Sequence, residues 1–126
     1  MSRAIAIFLK DSRPVAELAG WIGSVLGCAF QQGREGSGEF EAHAPWGYLT
    51  LGRHDLENDR DLHFEQYPYC LDIQVAGIAD GEARDRKALA VANDLFDKLS
   101  ATNRTDLMLV DDLQRRLRDF THSDGG

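Results

Sequence analysis

Tyr69-Cys70-Leu71-Asp72-Ile73-Gln74-Val75 is the stretch whose reading decides the fold. Tyr69, Leu71, Ile73 and Val75 alternate with Cys70, Asp72 and Gln74, the period of a strand with one face against a core. Asp80-Gly81 then signals a helix start, and the spacing predicts a helix over roughly 82–100. Ala88, Val91, Ala92, Leu95, Phe96 and Leu99 form its apolar stripe. Glu82 with Arg86 and Asp94 with Lys98 sit at i,i+4 on its wet side, where opposite charges support a helix. A strand feeding a long one-sided helix implies a sheet with helices packed on it.

Working towards the N-terminus, residues 3–9 read as a strand with apolar side chains on both faces. Ile5, Ile7 and Leu9 share one face, and Ala4, Ala6 and Phe8 the other, which suggests a central strand covered on both sides. Asp11-Ser12-Arg13-Pro14 is a helix-start signal, with capping side chains followed by proline in the first turn. Val15, Leu18, Ala19, Ile22, Val25 and Leu26 follow helical spacing up to Gly27. Gly20 and Gly23 weaken that helix by about 1 kcal/mol each relative to alanine, so close packing against a sheet is the expected compensation. Residues 28–32, 39–44 and 46–51 read as further strands. Glu39, Glu41 and His43 take the polar face of the second of these.

Towards the C-terminus, Leu107-Met108-Leu109-Val110 is a short strand. It arrives after a helix, so parallel pairing through a crossover is one option. Asp111-Asp112 reads as a cap for a last helix bearing Leu113, Leu117 and Phe120. The expected class is α+β: a mainly antiparallel sheet of about five or six strands, two long helices and a short C-terminal helix, in the order β-α-β-β-β-β-α-β-α. Residues 1–120 make a single domain, and 121–126 a flexible tail.

The chain has 126 residues, 43% of them hydrophobic, enough for a single core. Its formal charge of −7 argues against nucleic acid and anionic membrane surfaces as partners, and for a basic protein. No stretch approaches the ~20 apolar residues of a membrane span. The short N-terminal apolar run, interrupted at Lys10-Asp11, does not read as a signal peptide, so a soluble cytoplasmic protein is expected.

The charge is concentrated in Asp55-Leu56-Glu57-Asn58-Asp59-Arg60-Asp61-Leu62-His63-Phe64-Glu65, five carboxylates against one arginine. A calcium loop starting at Asp55 would need glycine at its sixth position and glutamate at its twelfth, where Arg60 and Gln66 stand. The stretch therefore reads either as a solvated loop or as a steering surface for a basic partner. Asp55, Glu57, Asp59, Asp61 and Glu65 are the candidate partner-binding carboxylates. Trp46, beside Pro45 and Gly47, and Tyr67, before Pro68, are the candidate aromatic anchors. Phe64 and Tyr69 read as core.

Catalytic and metal chemistry find little support. Gly33-Arg34-Glu35-Gly36-Ser37-Gly38 precedes no helix and lacks the phosphate-loop pattern. His43, His54, His63 and His122 show no zinc spacing and read as surface histidines. Cys28 and Cys70 form no CxxC pair and read as buried free thiols. Ser24, Ser37 and Ser100 lack a nucleophile-elbow context. Asp111-Asp112 could hold magnesium, but the cap reading is simpler. No catalytic residue, metal or cofactor is expected. Arg115, Arg116 and Arg118 read as a solvated helix face or as a patch meeting the acidic segment of a second copy in a homodimer.

In size, acidity, α+β layout and the acidic-aromatic segment 46–69, the chain resembles the small acidic immunity proteins that bacteria pair with secreted or contact-delivered toxins. The resemblance implies a non-enzymatic inhibitor that binds a cognate toxin domain, often a basic nuclease. It carries no residue assignments. The alternatives are a small enzyme or ligand-binding protein, with a pocket between helix and sheet near His43, His54 and Asp72, and an oligomeric accessory subunit.

Overall fold

The long helix forms as its stripe demands. In the computed structural model, which describes residues 5–33, 38–59, 62–112 and 115–122, α2 spans Gly81–Ser100. The Asp80 side chain caps it by accepting from the Ala83 N–H at 2.9 Å. Ala88, Val91, Ala92, Leu95, Phe96 and Leu99 are its buried residues. Both expected ion pairs form, Glu82 with Arg86 at 3.5 Å and Asp94 with Lys98 at 3.1 Å.

The shorter helix α1 spans Val15–Leu26 and ends at Gly27 in the left-handed conformation. Its start differs from the expectation. Pro14 occupies the cap position and no side chain caps the helix. Asp11 is instead engaged by Arg13, which donates from the backbone N–H, from Nε and from one terminal guanidinium nitrogen. Gly20 contacts nothing that a side chain would meet, whereas a Cβ on Gly23 would lie 2.6 Å from the Cys28 carbonyl oxygen. Gly23 thus admits the chain returning over the helix, and sheet packing is not the reason for it.

The strands are β1 (Ile5–Lys10), β2 (Gln31–Gln32), β3 (Phe40–Ala44), β4 (Gly47–Arg53), β5 (Tyr69–Val75), β6 (Asp106–Asp111) and β7 (Arg115–Phe120). They make one sheet in the order β2-β3-β4-β5-β1-β6-β7, every neighbouring pair antiparallel. The class is α+β, with seven strands and two helices among the described residues. Pro45 and Trp46 turn β3 into β4, and Gly47 opens β4 at φ 155°, where a Cβ would sit 1.9 Å from the Gln74 carbonyl oxygen.

Three expectations at the C-terminal end are corrected. The short terminal helix is strand β7, paired with β6. Leu113, expected on that helix, lies outside the described residues. Asp111-Asp112 caps nothing: Asp111 ends β6, buried beside Arg115, and Asp112 turns the hairpin with φ 55°. Strand β6 pairs antiparallel with β1 and not parallel to a neighbour. The helical crossover links β5 and β6, which run in the same direction on either side of β1.

β1 is covered on both faces, as its sequence implies. Ile5, Ile7 and Leu9 join the main core with Leu49, Leu51, Tyr69, Leu71, Ile73, Leu107 and Leu109 under the two helices. Ala6 and Phe8 face the other way, into a second cluster with Met108 and Val110.

Candidate functional site

The second cluster is closed by the acidic segment. Leu62 and Phe64 are buried in it, at 1% and 3% exposure, and Leu56, Tyr67 and Cys70 pack against it. The connection between β4 and β5 is therefore a lid lying across the face of the sheet that the helices leave open.

Sequence and hydrogen bonds explain why the lid holds its shape. Asn58 and Glu65 exchange bonds: the Asn58 N–H donates to the Glu65 carboxylate at 3.0 Å, and the Glu65 N–H donates to the Asn58 side-chain oxygen at 2.9 Å. Asp59 and Leu62 pair through both backbone groups at 2.9 and 2.8 Å. Phe64–Gln66 forms one turn of 3₁₀ helix. His54 fastens the two ends. Its Nδ1 accepts from the Leu56 N–H at 3.0 Å, which assigns the proton to Nε2, and Nε2 meets the Tyr67 carbonyl oxygen. The ring stands edge-on to Phe8, with centroids 5.0 Å apart.

The expected site residues fall into two groups. Asp55, Glu57, Asp59 and Glu65 are exposed on the outside of the lid. Asp61 lies outside the described residues. The two aromatic anchors are less exposed than their neighbouring prolines and glycine suggested. Trp46 is partly buried against the main core, and Tyr67 against the second cluster. Burial, with Asp106 and Asp119 nearby, pushes the Tyr67 hydroxyl up. Tyr48 is one of two exposed large hydrophobic residues among the described residues, at 39%.

Beside the lid, the outer face of β3, β4 and β5 carries more acid. Glu41, Thr50 and Asp72 stand side by side across the three strands, followed by His43, Tyr48 and Gln74. Burial, with Glu39 nearby, raises the Asp72 carboxyl above the ordinary range. A cleft of about 310 Å³ runs between this face and the lid, lined by Glu39, Thr50, Gly52, Asp55, Cys70 and Asp72 among others. Arg53 also borders it, but its guanidinium sits over the Tyr69 ring at 5.0 Å.

The pocket suggested by His43, His54 and Asp72 is not between helix and sheet. All three lie on the side away from the helices, and His43 is not among the residues lining the cleft. Cys70 is no activated nucleophile. Burial first, then Asp72, pushes its thiol well up, which suppresses the reactive thiolate. No group of three or more metal-ligating side chains gathers among the described residues. No helix among them is long and apolar enough to cross a membrane.

No protein family, curated protein or solved structure was found to match this chain.

Proposed function

We propose that the chain is a non-enzymatic inhibitor: an immunity protein that binds and neutralises a basic toxin domain through the lid and the acidic sheet face beside it. The observation that carries this reading is the two-sidedness of the lid. Leu62 and Phe64 are buried and Leu56 is partly so, while its described carboxylates are exposed. A field source fixed in place costs little ordering on binding, unlike a free acidic loop. Asp55, Glu57, Asp59 and Glu65 steer the partner, together with Asp61 from the sequence. Glu39, Glu41 and Asp72 extend the same charge sign onto the sheet, with Tyr48 as the exposed aromatic among them.

The test is co-expression with basic toxin domains encoded by neighbouring genes, followed by binding kinetics on the purified pair. The expected result is restored growth and a complex whose association slows as salt rises. Charge reversal of Asp55 and Glu57 lowers the association rate about tenfold at low salt, with little change in dissociation. Absence of both protection and complex formation overturns the reading. An unchanged association rate overturns the steering role of the lid.

A further inference from the structure

A second, oppositely charged cleft lies at the end of the sheet where β1 finishes and β6 begins. It has a volume of about 510 Å³ and is walled by the β1–α1 connection, the α2–β6 connection and His122. The protein carries 21 acidic against 14 basic side chains, so a concave surface lined with cations departs from its general character.

The carboxylates near this cleft are already engaged. Asp11 is held by Arg13, at 2.9 Å from Nε and 2.6 Å from the second guanidinium nitrogen. The Arg13 guanidinium is further fixed over the Trp21 ring at 4.6 Å. Asp106 accepts the His122 N–H at 2.9 Å and lies 2.6 Å from the His122 ring nitrogen. Lys10 and Arg104 remain, and neither has a carboxylate partner among the described residues. Their backbones are locked close together, because the Thr105 hydroxyl donates to the Lys10 carbonyl at 2.7 Å and Lys10 pairs with Asp106. Asn103, at φ 52°, turns the chain out of α2 so that Arg104 enters the cleft wall. Ser12 adds a hydroxyl to the lining.

We infer that this cleft binds a phosphate-type dianion, held between Lys10 and Arg104 with Ser12 and Asn103 at its edge. A dianion suits the cleft better than a monoanion, because one negative charge can meet each of the two cations and so outweigh the unfavourable field at the C-terminal end of α2. Arginine supplies two parallel donors to a phosphate and lysine a point charge, the usual division of labour between them. The inference is independent of the toxin-binding reading, since the lid and its carboxylates take no part.

The experiment is an NMR titration of the ¹⁵N-labelled full chain near neutral pH, with inorganic phosphate, with pyrophosphate, and with chloride at matched ionic strength. Saturable shifts at Ser12, Arg13, Asn103 and Arg104 are expected with phosphate, tighter with pyrophosphate and absent with chloride. Lys10→Gln and Arg104→Gln should each weaken binding about tenfold, the loss of one charge-assisted contact. Both side chains are exposed, so melting temperatures should match the parent, and Ser12→Ala provides a third, milder variant. Non-saturating shifts, equal shifts with chloride, or binding that survives in the Lys10→Gln, Arg104→Gln double variant overturns the inference.

Discussion

The two faces of the sheet are covered by different materials. Twenty buried side chains form the cluster on the helix side, against six on the lid side, among the described residues. The helices satisfy their own backbone and bury an apolar stripe. The lid satisfies its backbone piecemeal, through Asn58, Glu65, Asp59, Leu62 and His54, and buries isolated residues. The helix side should therefore set global stability, while the lid should open as a smaller cooperative unit.

The largest effect tests the helix side. Phe96 is 2% exposed, with the Arg118 guanidinium 4.4 Å above its ring. Phe96→Ala should cost about 3–5 kcal/mol in denaturant unfolding, because a close-packed helix–sheet layer cannot collapse into the hole. A loss below about 1 kcal/mol would erase the contrast between the faces.

Next comes Phe64→Ala on the lid side, expected to cost about 2–3 kcal/mol because an irregular loop relaxes more readily than a helix. Native-state hydrogen exchange gives the sharper readout. The amides of Asp59, Leu62 and Glu65 should lose protection while the amides of β1 and β5 under the helices keep theirs. Equal loss across the sheet would make the lid part of one global unit.

His54→Ala follows, at about 1–2 kcal/mol, since it leaves the Leu56 N–H and the Tyr67 carbonyl without their partner. His54→Phe should recover the ring contact with Phe8 but not the two bonds, separating packing from fastening. Full recovery by phenylalanine would show that the ring alone holds the lid.

The same contrast explains what could be read from the sequence. A helix or strand with one buried face writes a period, and α2 and β5 were legible residue by residue for that reason. The lid writes none. Its anchors Leu56 and Leu62 sit singly among charges, so an acidic run was visible while the surface it closes was not. Strand β7 misled for a local reason. A bulge between Leu109 and Val110 leaves Leu117 as the extra residue opposite them, which breaks the alternation of Arg115, Arg116, Leu117, Arg118, Asp119 and Phe120. With Leu113, the positions of Leu117 and Phe120 then mimic helical spacing. The proposed anion-binding cleft was invisible because Lys10 and Arg104, far apart in sequence, are brought together only by the Thr105–Lys10 bond and the pairing of β1 with β6.

The smallest effect concerns two carboxyl groups shifted in opposite directions. Burial alone would raise the Asp11 carboxyl, but the bonds from Arg13 outweigh it and hold the group below its ordinary value of 3.8. Asp11 therefore contributes stability above the unfolded value, lost as pH falls through the folded one. Asp72 runs the other way. Burial, aided by Glu39, raises it, so the folded state binds its proton first. Its ionised form is penalised at neutral pH, and that penalty disappears as pH falls from the raised folded value through 3.8. Asp72→Asn should thus stabilise the protein slightly at neutral pH and change nothing in acid, whereas Asp11→Asn should destabilise at neutral pH and converge with the parent in acid. Melting curves of both variants across the carboxylate range check the pair. Should Asp72→Asn destabilise at neutral pH, the ionised carboxylate would be a structural part of the sheet face beside the lid, and that face would need a satisfied charge to hold its shape.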